Sequence, residues 1–165
     1  MIIFSNTTFN TARLIIQKAE QQRIKIAGAE SCTGGLIAGI LTSVPGSSAV
    51  FEFGIVSYAS HAKSSILKIP AEVIAKHGAV SSEVVLAMAD GLNKIYSNNF
   101  MFAVTGIAGP GGGSATKPVG TVYIAVSNLE SNRIDIVKQH FVGDRATIRM
   151  NTVDFVLRMI LSQLS

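Results

Sequence analysis

The spacing of hydrophobic and polar residues changes repeatedly along the chain between a helical period and a strand period. Apolar residues at helical spacing, together with capping residues, predict helices over 8–22, after Thr33, from about Ser60, from Pro70 to Gly78, after the N-cap Ser81 and from Asp144. Runs of β-branched and aromatic residues predict strands over 24–29, 50–58 (a buried strand), 100–105, 121–127 and 133–141, the last two forming a hairpin. Because strands and helices alternate, we expect one layered α/β domain over residues 1–165 with a mixed sheet.

Composition narrows the class of protein. The chain has 165 residues, of which 48% are hydrophobic and only 15% are charged, against about 25% charged in ordinary globular chains. This combination excludes intrinsic disorder. The uncharged segment 31–51 contains Pro45 and four glycines, so it does not fit a transmembrane helix. With no signal-peptide pattern and a single cysteine, Cys32, we expect a cytoplasmic protein that does not bind a membrane.

The charged residues point away from nucleic acid and from metal. The net charge is +4, but the 14 Lys and Arg residues are scattered and tryptophan is absent, whereas nucleic-acid binding favours clustered basic residues. His61, His77 and His140 are dispersed, and no set of His, Cys, Asp and Glu has the spacing of metal ligands. We therefore expect neither a nucleic-acid partner nor a metal.

Three polar clusters follow apolar strands, where open α/β sheets usually bind ligands. The segment 30–35 (ESCTGG) places hydroxyls and paired glycines at a helix start, which favours either a bound anion or a plain N-cap with a tight turn. The glycine-rich loop 105–120 carries one cation, Lys117, and is either a phosphate-facing loop or a mobile surface loop.

The remaining cluster joins the loop 45–48 to residues 58–63. Lys63 is the only lysine or arginine between Lys25 and Lys68, and an apolar neighbourhood lowers the pKa of a lysine toward the neutral amine that a base needs. Ser48, on a Pro-Gly turn, is then a candidate nucleophile, and Tyr58 either relays a proton or caps the strand. The alternative is a surface lysine beside a turn serine.

The sequence allows two roles each for Arg145 and Cys32. Arg145 is expected in the first turn of the last helix, where the helix dipole disfavours a cation, so it either meets a ligand anion or is simply solvated. Cys32 has no His or Lys beside it in sequence, which favours a small buried residue over a nucleophile.

Seven segments occur in the order and spacing of the CinA C-terminal domain family, which the chain resembles over residues 24–149. They are AESCTGG (29–35), VPGSSAVF (44–51), GIVSYASHAK (54–63), HGAVS (77–81), TGIAGPGGGS (105–114), KPVGTV (117–122) and FVGDR (141–145). The resemblance, to stand-alone nicotinamide-nucleotide amidases of this family, implies a three-layer α/β/α fold with a mixed, mostly parallel sheet. It also implies hydrolysis of nicotinamide mononucleotide to nicotinate mononucleotide and ammonia, in pyridine-nucleotide salvage. The resemblance implies no cofactor, and it implies a homodimer or higher homo-oligomer.

The resemblance also assigns roles to residues. Ser48 would be the nucleophile, Lys63 the general base and Tyr58 a partner that positions or polarises them, with backbone N–H groups of a glycine turn holding the oxyanion. Ser31 remains the alternative nucleophile. The mononucleotide pocket would be lined by Ser31, Thr33, Gly34, Gly35, Thr105, Gly106 and Arg145.

The chain departs from the family pattern at two places near the site. Residues 59–61 (ASH) replace the usual Ser-Asn-Glu, and residues 26–31 (IAGAES) lack a threonine of the usual Thr-Thr-Ala-Glu-Ser opening. Two other functions therefore stay open: a non-catalytic paralogue that binds a nucleotide or a partner in a competence or DNA-damage context, and a hydrolase of a related amide. The chain has no room for the pyrophosphatase domain of larger members, so we expect no pyrophosphatase activity.

Overall fold

A five-stranded mixed sheet forms the centre of the computed structural model, which describes residues 4–95 and 100–164. The strands are β1 (Ile26–Glu30), β2 (Phe51–Val56), β3 (Phe100–Gly106), β4 (Thr121–Asn128) and β5 (Arg133–His140). Their order across the sheet is β2-β1-β3-β4-β5. Strand β1 is parallel to β2 and β3, whereas β4 is antiparallel to β3 and β5. The mixed sheet is confirmed, with parallel pairing making up half of the pairings rather than most of them.

Helices cover both faces of the sheet, as expected for three layers. They are α1 (Asn6–Gln21), α2 (Leu36–Thr42), α3 (Ser60–Leu67), α4 (Ala71–His77), α5 (Ser82–Ile95) and α6 (Arg145–Gln163). Helices α1, α2 and α6 pack together on one face, and α3, α4 and α5 pack on the other. The α/β/α arrangement is confirmed. No helix within the described residues is long and apolar enough to cross a membrane.

Strand β3 shows why its sequence is a continuous apolar run. Phe100, Phe102 and Val104 belong to the core under α1, α2 and α6, while Met101 and Ala103 belong to the core under α5. A central strand with helices on both faces buries every side chain, so it has no polar alternation.

Strand β2 differs from its prediction as a buried strand. It lies at the edge of the sheet, and half-buried residues alternate with exposed ones along its whole length. Aromatic and β-branched residues suit any half-covered pleated surface, so the composition of 50–58 does not distinguish an edge strand from a central one.

The parallel register of β1, β2 and β3 sets the position of the site. Glu30, the last residue of β1, is level with Val56 at the end of β2 and with Val104 near the end of β3. The residues that follow these strands therefore meet on one side of the sheet, which we call the C-terminal side. Residues that precede β2 lie on the opposite, N-terminal side, because Phe51 is level with Ile26 at the start of β1.

Candidate active site

A cavity of about 180 Å³ opens on the C-terminal side of the sheet. Its walls come from the turns after β1, β2 and β3, from the connection between α4 and α5, and from the start of α6. The lining residues are Ser31, Cys32, Tyr58, Lys63, Ala79, Val80, Thr105, Gly106, Ala108 and Arg145.

Lys63 enters this cavity from the first turn of α3 and is only 1% exposed. Its Nζ donates hydrogen bonds to Ser31 Oγ at 2.9 Å and to the carbonyl of Ser57 at 2.8 Å. The carbonyl of Tyr58 is a third, longer acceptor at 3.4 Å. Burial lowers the pKa of Lys63, because a charged amine loses its hydration there. The arrangement is a buried serine–lysine pair.

The structure does not bring Ser48 to Lys63, so the predicted pairing of these two residues is corrected. Ser48 lies in a short 3-10 turn, Ser47–Ala49, that precedes β2, and its side chain is exposed. Lys63 follows β2, and a strand of that length spans about 17–20 Å. Ser48 is therefore on the N-terminal side of the sheet and is absent from the cavity wall.

Glu30 explains why the turn after β1 holds Ser31 in place. Its side chain is buried, and its carboxylate accepts hydrogen bonds from the backbone N–H groups of Gly35 at 2.9 Å, Ile37 at 3.2 Å and Ala38 at 2.8 Å. The start of α2 thus carries an anion from the protein itself, which supports the capping interpretation of this segment. Sequence reasoning missed this role, although a glutamate four residues before the glycine pair that begins the helix is its signal.

The glycines of this turn have a conformational role. Gly34 and Gly35 have φ angles of +62° and +90°, which favour glycine over residues with a side chain. Neither they nor Thr33 line the cavity. The Thr33 hydroxyl is fully buried and has no hydrogen-bond partner among the described residues, and its contact with a ligand stays a prediction.

The other predicted residues do reach the cavity. Arg145 donates from Nη1 to the carbonyl of Gly109 at 2.8 Å and from Nη2 to the hydroxyl of Tyr58. Thr105 donates from Oγ1 to the carbonyl of Ala79 at 2.8 Å. These bonds join the loops that surround the cavity. Tyr58 thus contributes its carbonyl to Lys63 and its hydroxyl to Arg145.

Lys117, the one cation of the glycine-rich loop, binds protein rather than open solvent. Its Nζ donates to the carbonyls of His77 at 2.9 Å and Val80 at 2.7 Å. The loop is therefore fastened to the connection between α4 and α5, whose Val80 lines the cavity.

Cys32 and the acidic residues offer no second chemistry at this site. Burial raises the pKa of the Cys32 thiol to about 12, so the thiol stays protonated at neutral pH. Across residues 4–95 and 100–164, no three side chains of His, Cys, Asp or Glu are grouped as metal ligands would be.

The fold and the cavity define an α/β protein with a buried serine–lysine pair where parallel strands end. A model of the CinA C-terminal domain matches residues 8–164. The chain therefore belongs to the CinA C-terminal domain family.

Relatives and solved structures agree with this assignment. The CinA-like protein of Geotalea uraniireducens is 49% identical over 138 residues, which cover 81% of this chain and 32% of that protein. The CinA-like protein of Acidobacterium capsulatum is 41% identical over 159 residues, or 96% of this chain and 38% of its own length. The chain spans about a third of the length of these curated relatives.

Among solved structures, the competence/damage inducible protein CihA from Agrobacterium tumefaciens superposes with a TM-score of 0.93 at 41% identity, with 98% of each chain covered. A CinA superfamily protein from Escherichia coli gives a TM-score of 0.90 at 28% identity, covering 98% of this chain and 94% of the other.

Proposed function

We propose that this chain is an amidohydrolase that converts nicotinamide mononucleotide to nicotinate mononucleotide and ammonia, in cytoplasmic salvage of pyridine nucleotides. The observation that carries the proposal is the 2.9 Å contact between Lys63 Nζ and Ser31 Oγ inside a cavity. The nicotinamide substrate comes from the sequence resemblance. The nucleophile in this proposal is Ser31 rather than Ser48.

The two carbonyls around Lys63 orient its amine. A neutral amine has two N–H bonds and one lone pair. In the proposed neutral form the N–H bonds stay on the carbonyls of Ser57 and Tyr58, and the 2.9 Å contact in which Lys63 donates to Ser31 Oγ reverses, so that the Ser31 hydroxyl donates to the lone pair. Burial lowers the pKa of Lys63, which favours the neutral amine that a general base needs. Together these features make Lys63 the base for Ser31.

Acylation then proceeds in balanced steps. Lys63 takes the proton of Ser31, and Ser31 Oγ forms a bond to the carboxamide carbon of the substrate. The tetrahedral intermediate collapses with cleavage of the C–N bond, and the ammonium of Lys63 gives its proton to the departing nitrogen, which leaves as ammonia. Neutral Lys63 then takes a proton from a water whose oxygen attacks the ester carbon. The bond between that carbon and Ser31 Oγ breaks, the ammonium of Lys63 returns the proton to Ser31 Oγ, and the product acid leaves and ionises to the carboxylate in solvent.

The oxyanion of the tetrahedral intermediate needs hydrogen-bond donors other than the backbone N–H groups that already bind Glu30. The amides of Gly35, Ile37 and Ala38 bind the Glu30 carboxylate. In this proposal the donor is the backbone amide of Cys32, which directly follows the nucleophile and belongs to a residue that lines the cavity. One such donor contributes about 3–4 kcal/mol to catalysis.

The size of the cavity fits part of a mononucleotide. At about 180 Å³ it is slightly larger than a cavity of about 150 Å³ that takes a benzene ring. It would hold the pyridine ring and carboxamide, while the ribose and phosphate would lie at its mouth near Tyr58 and Arg145. This placement of the substrate would put its carboxamide carbon inside the cavity, next to Ser31.

The test is release of ammonia and formation of nicotinate mononucleotide by the wild-type chain and by Lys63→Met. Lys76→Met, which removes an exposed lysine of α4, is the matched control. We expect turnover by wild type and Lys76→Met, and a loss of about 10³-fold or more in Lys63→Met. No turnover by folded wild type would instead favour the non-catalytic binding domain, and equal turnover by all three would refute the proposed base.

We also propose a homodimer or higher homo-oligomer. Ile134 and Ile136, on the edge strand β5, are 49% and 39% exposed, and apolar side chains on an edge strand favour association. Light scattering after size exclusion tests this: a species of monomer mass at micromolar concentration would refute it.

A further inference from the structure

The first two turns of α6 carry two arginines that the mechanism leaves without a counter-charge. Arg145 and Arg149 are four residues apart, so they lie on the same face of the helix. Arg149 donates from Nη2 to the carbonyl of Thr33 at 2.8 Å, next to the turn that holds Ser31. Both guanidinium groups therefore border the cavity region, one at its wall and the other at the neighbouring turn.

No carboxylate within the described residues neutralises either arginine. The ion pairs there join Lys25 to Glu52, His77 to Glu83 and Arg133 to Asp135. Asp144, the nearest acid in sequence, accepts from the N–H of Thr147 and caps α6. Two like charges at this spacing repel, and a helix N-terminus disfavours cations. A bound anion would convert both costs into attraction.

Both guanidinium groups have more N–H donors than the hydrogen bonds described above use. Each has five N–H bonds. Arg145 uses two of its groups, on Gly109 and Tyr58, and Arg149 uses Nη2 alone, with its buried Nε unpartnered among the described residues. Gly34 leaves room for this approach, because a Cβ there would stand 3.2 Å from Arg149 Nη2.

We propose that Arg145 and Arg149 together form a phosphomonoester subsite at the mouth of the cavity, with Arg149 determining specificity for a phosphorylated substrate. This inference rests on the proposed function, because the cavity takes only a ring and leaves the 5′-phosphate of a mononucleotide outside it. Planar guanidinium groups match the geometry of phosphate oxygens. The residue pair thus selects a nucleotide over the corresponding nucleoside.

The experiment compares two substrates that differ only in the phosphate: nicotinamide mononucleotide and nicotinamide riboside. We expect Arg149→Ala to raise KM for the nucleotide about 10- to 100-fold, and to change KM for the riboside and kcat for both substrates much less. Arg149→Lys, which keeps the charge and one donor direction, should give an intermediate KM and replaces the alanine variant if that does not fold. Arg158→Ala, an exposed arginine farther along α6, is the control and should change neither substrate.

A second arm does not depend on turnover. Inorganic phosphate, compared with chloride at equal ionic strength, should raise the Tm of the wild type and of Arg158→Ala. The rise in Tm should be smaller for Arg149→Ala and for Arg149→Lys. An equal rise in KM for both substrates, no rise for either, or no phosphate effect on wild-type Tm would overturn the subsite. If the wild type hydrolyses neither substrate, the proposed amidase activity is wrong, and the phosphate titration alone decides whether the anion subsite exists.

Discussion

Two serines on opposite sides of the sheet show what makes a hydroxyl reactive. Ser31, on the C-terminal side, is buried in a turn held by Glu30 and meets the amine of Lys63 at 2.9 Å. Ser48, on the N-terminal side, is exposed on a short 3-10 turn outside the cavity. Both serines lie in segments rich in small residues and glycine. The difference lies in the buried base and fixed backbone around Ser31, which a nucleophile requires.

The largest expected effect is the loss of kcat/KM when Ser31, and not Ser48, is replaced by alanine. We expect Ser31→Ala to lower kcat/KM for nicotinamide mononucleotide by about 10³-fold or more, because the attacking atom is removed. Ser48→Ala should leave it within about twofold, since its hydroxyl faces solvent. Steady-state ammonia release measures both. A larger loss in Ser48→Ala than in Ser31→Ala would reverse the comparison.

The pH dependence of turnover tests the base on the C-terminal side. The neutral amine of Lys63 is the active form and its pKa is lowered by burial, so kcat/KM should rise tenfold per pH unit below that pKa. It should then level off below the reference lysine value of about 10.4. A rate profile that rises up to pH 10.4 or beyond would contradict a buried neutral base.

Glu30 and Glu52 allow the stability contribution of a carboxylate on the C-terminal side to be compared with that of one on the N-terminal side. Glu30→Gln should lower the free energy of unfolding by about 1–3 kcal/mol, because an amide group cannot accept from all three backbone N–H groups. Glu52→Gln on the edge strand β2 removes a partly exposed contact of 3.3 Å with Lys25 and should cost about 0–1 kcal/mol. Urea unfolding of both variants measures this difference. Equal costs would mean that the turn around Ser31 does not depend on Glu30.

Stability should also depend on pH through Lys63. Its folded-state pKa lies below the unfolded value, so between the two values the unfolded chain binds the extra proton and raising pH favours the folded state. The stability of wild type relative to Lys63→Met should therefore rise by at most about 1.4 kcal/mol per pH unit in that window. It should be constant below the folded pKa and above about 10.4. Chemical unfolding at a series of pH values checks the sign, and a relative stability that falls with pH would contradict it.

The smallest expected effect lies on the N-terminal side. Gly46 has a φ of +86° and open space around the position of a Cβ, so Gly46→Ala should cost about 1 kcal/mol of stability through backbone strain alone. Turnover should not change, because this turn is outside the cavity. A substantial loss of kcat/KM in folded Gly46→Ala would show that the N-terminal side takes part in catalysis.

Most of the fold follows from local sequence pattern. The helix at 82–95 and the strand at 100–106 have the expected bounds to within a residue or two, because their apolar spacing is regular and Ser81 caps the helix by accepting from the N–H of Val84. The edge position of β2 was not predictable in this way, since strand composition reports side-chain packing and not the number of neighbouring strands.

The site was predictable in part. The charge-poor surroundings of Lys63 correctly indicated a buried lysine, which the structure shows at 1% exposure. The partner was wrong, because Ser48 precedes β2 and Lys63 follows it, and a strand carries its two ends to opposite sides of the sheet. Arg149 was missed, although its position four residues after Arg145 was a sequence signal.

The most direct test of the central claim is the location of the acyl group in the covalent intermediate. The wild-type chain would be quenched in acid during turnover and analysed by peptide mass spectrometry, with fragmentation to separate the two serines, which fall in one tryptic peptide, 26–63. We predict an adduct with the mass of nicotinamide mononucleotide minus ammonia on Ser31, absent from Ser31→Ala and present in Ser48→Ala. An adduct on Ser48 would contradict the account.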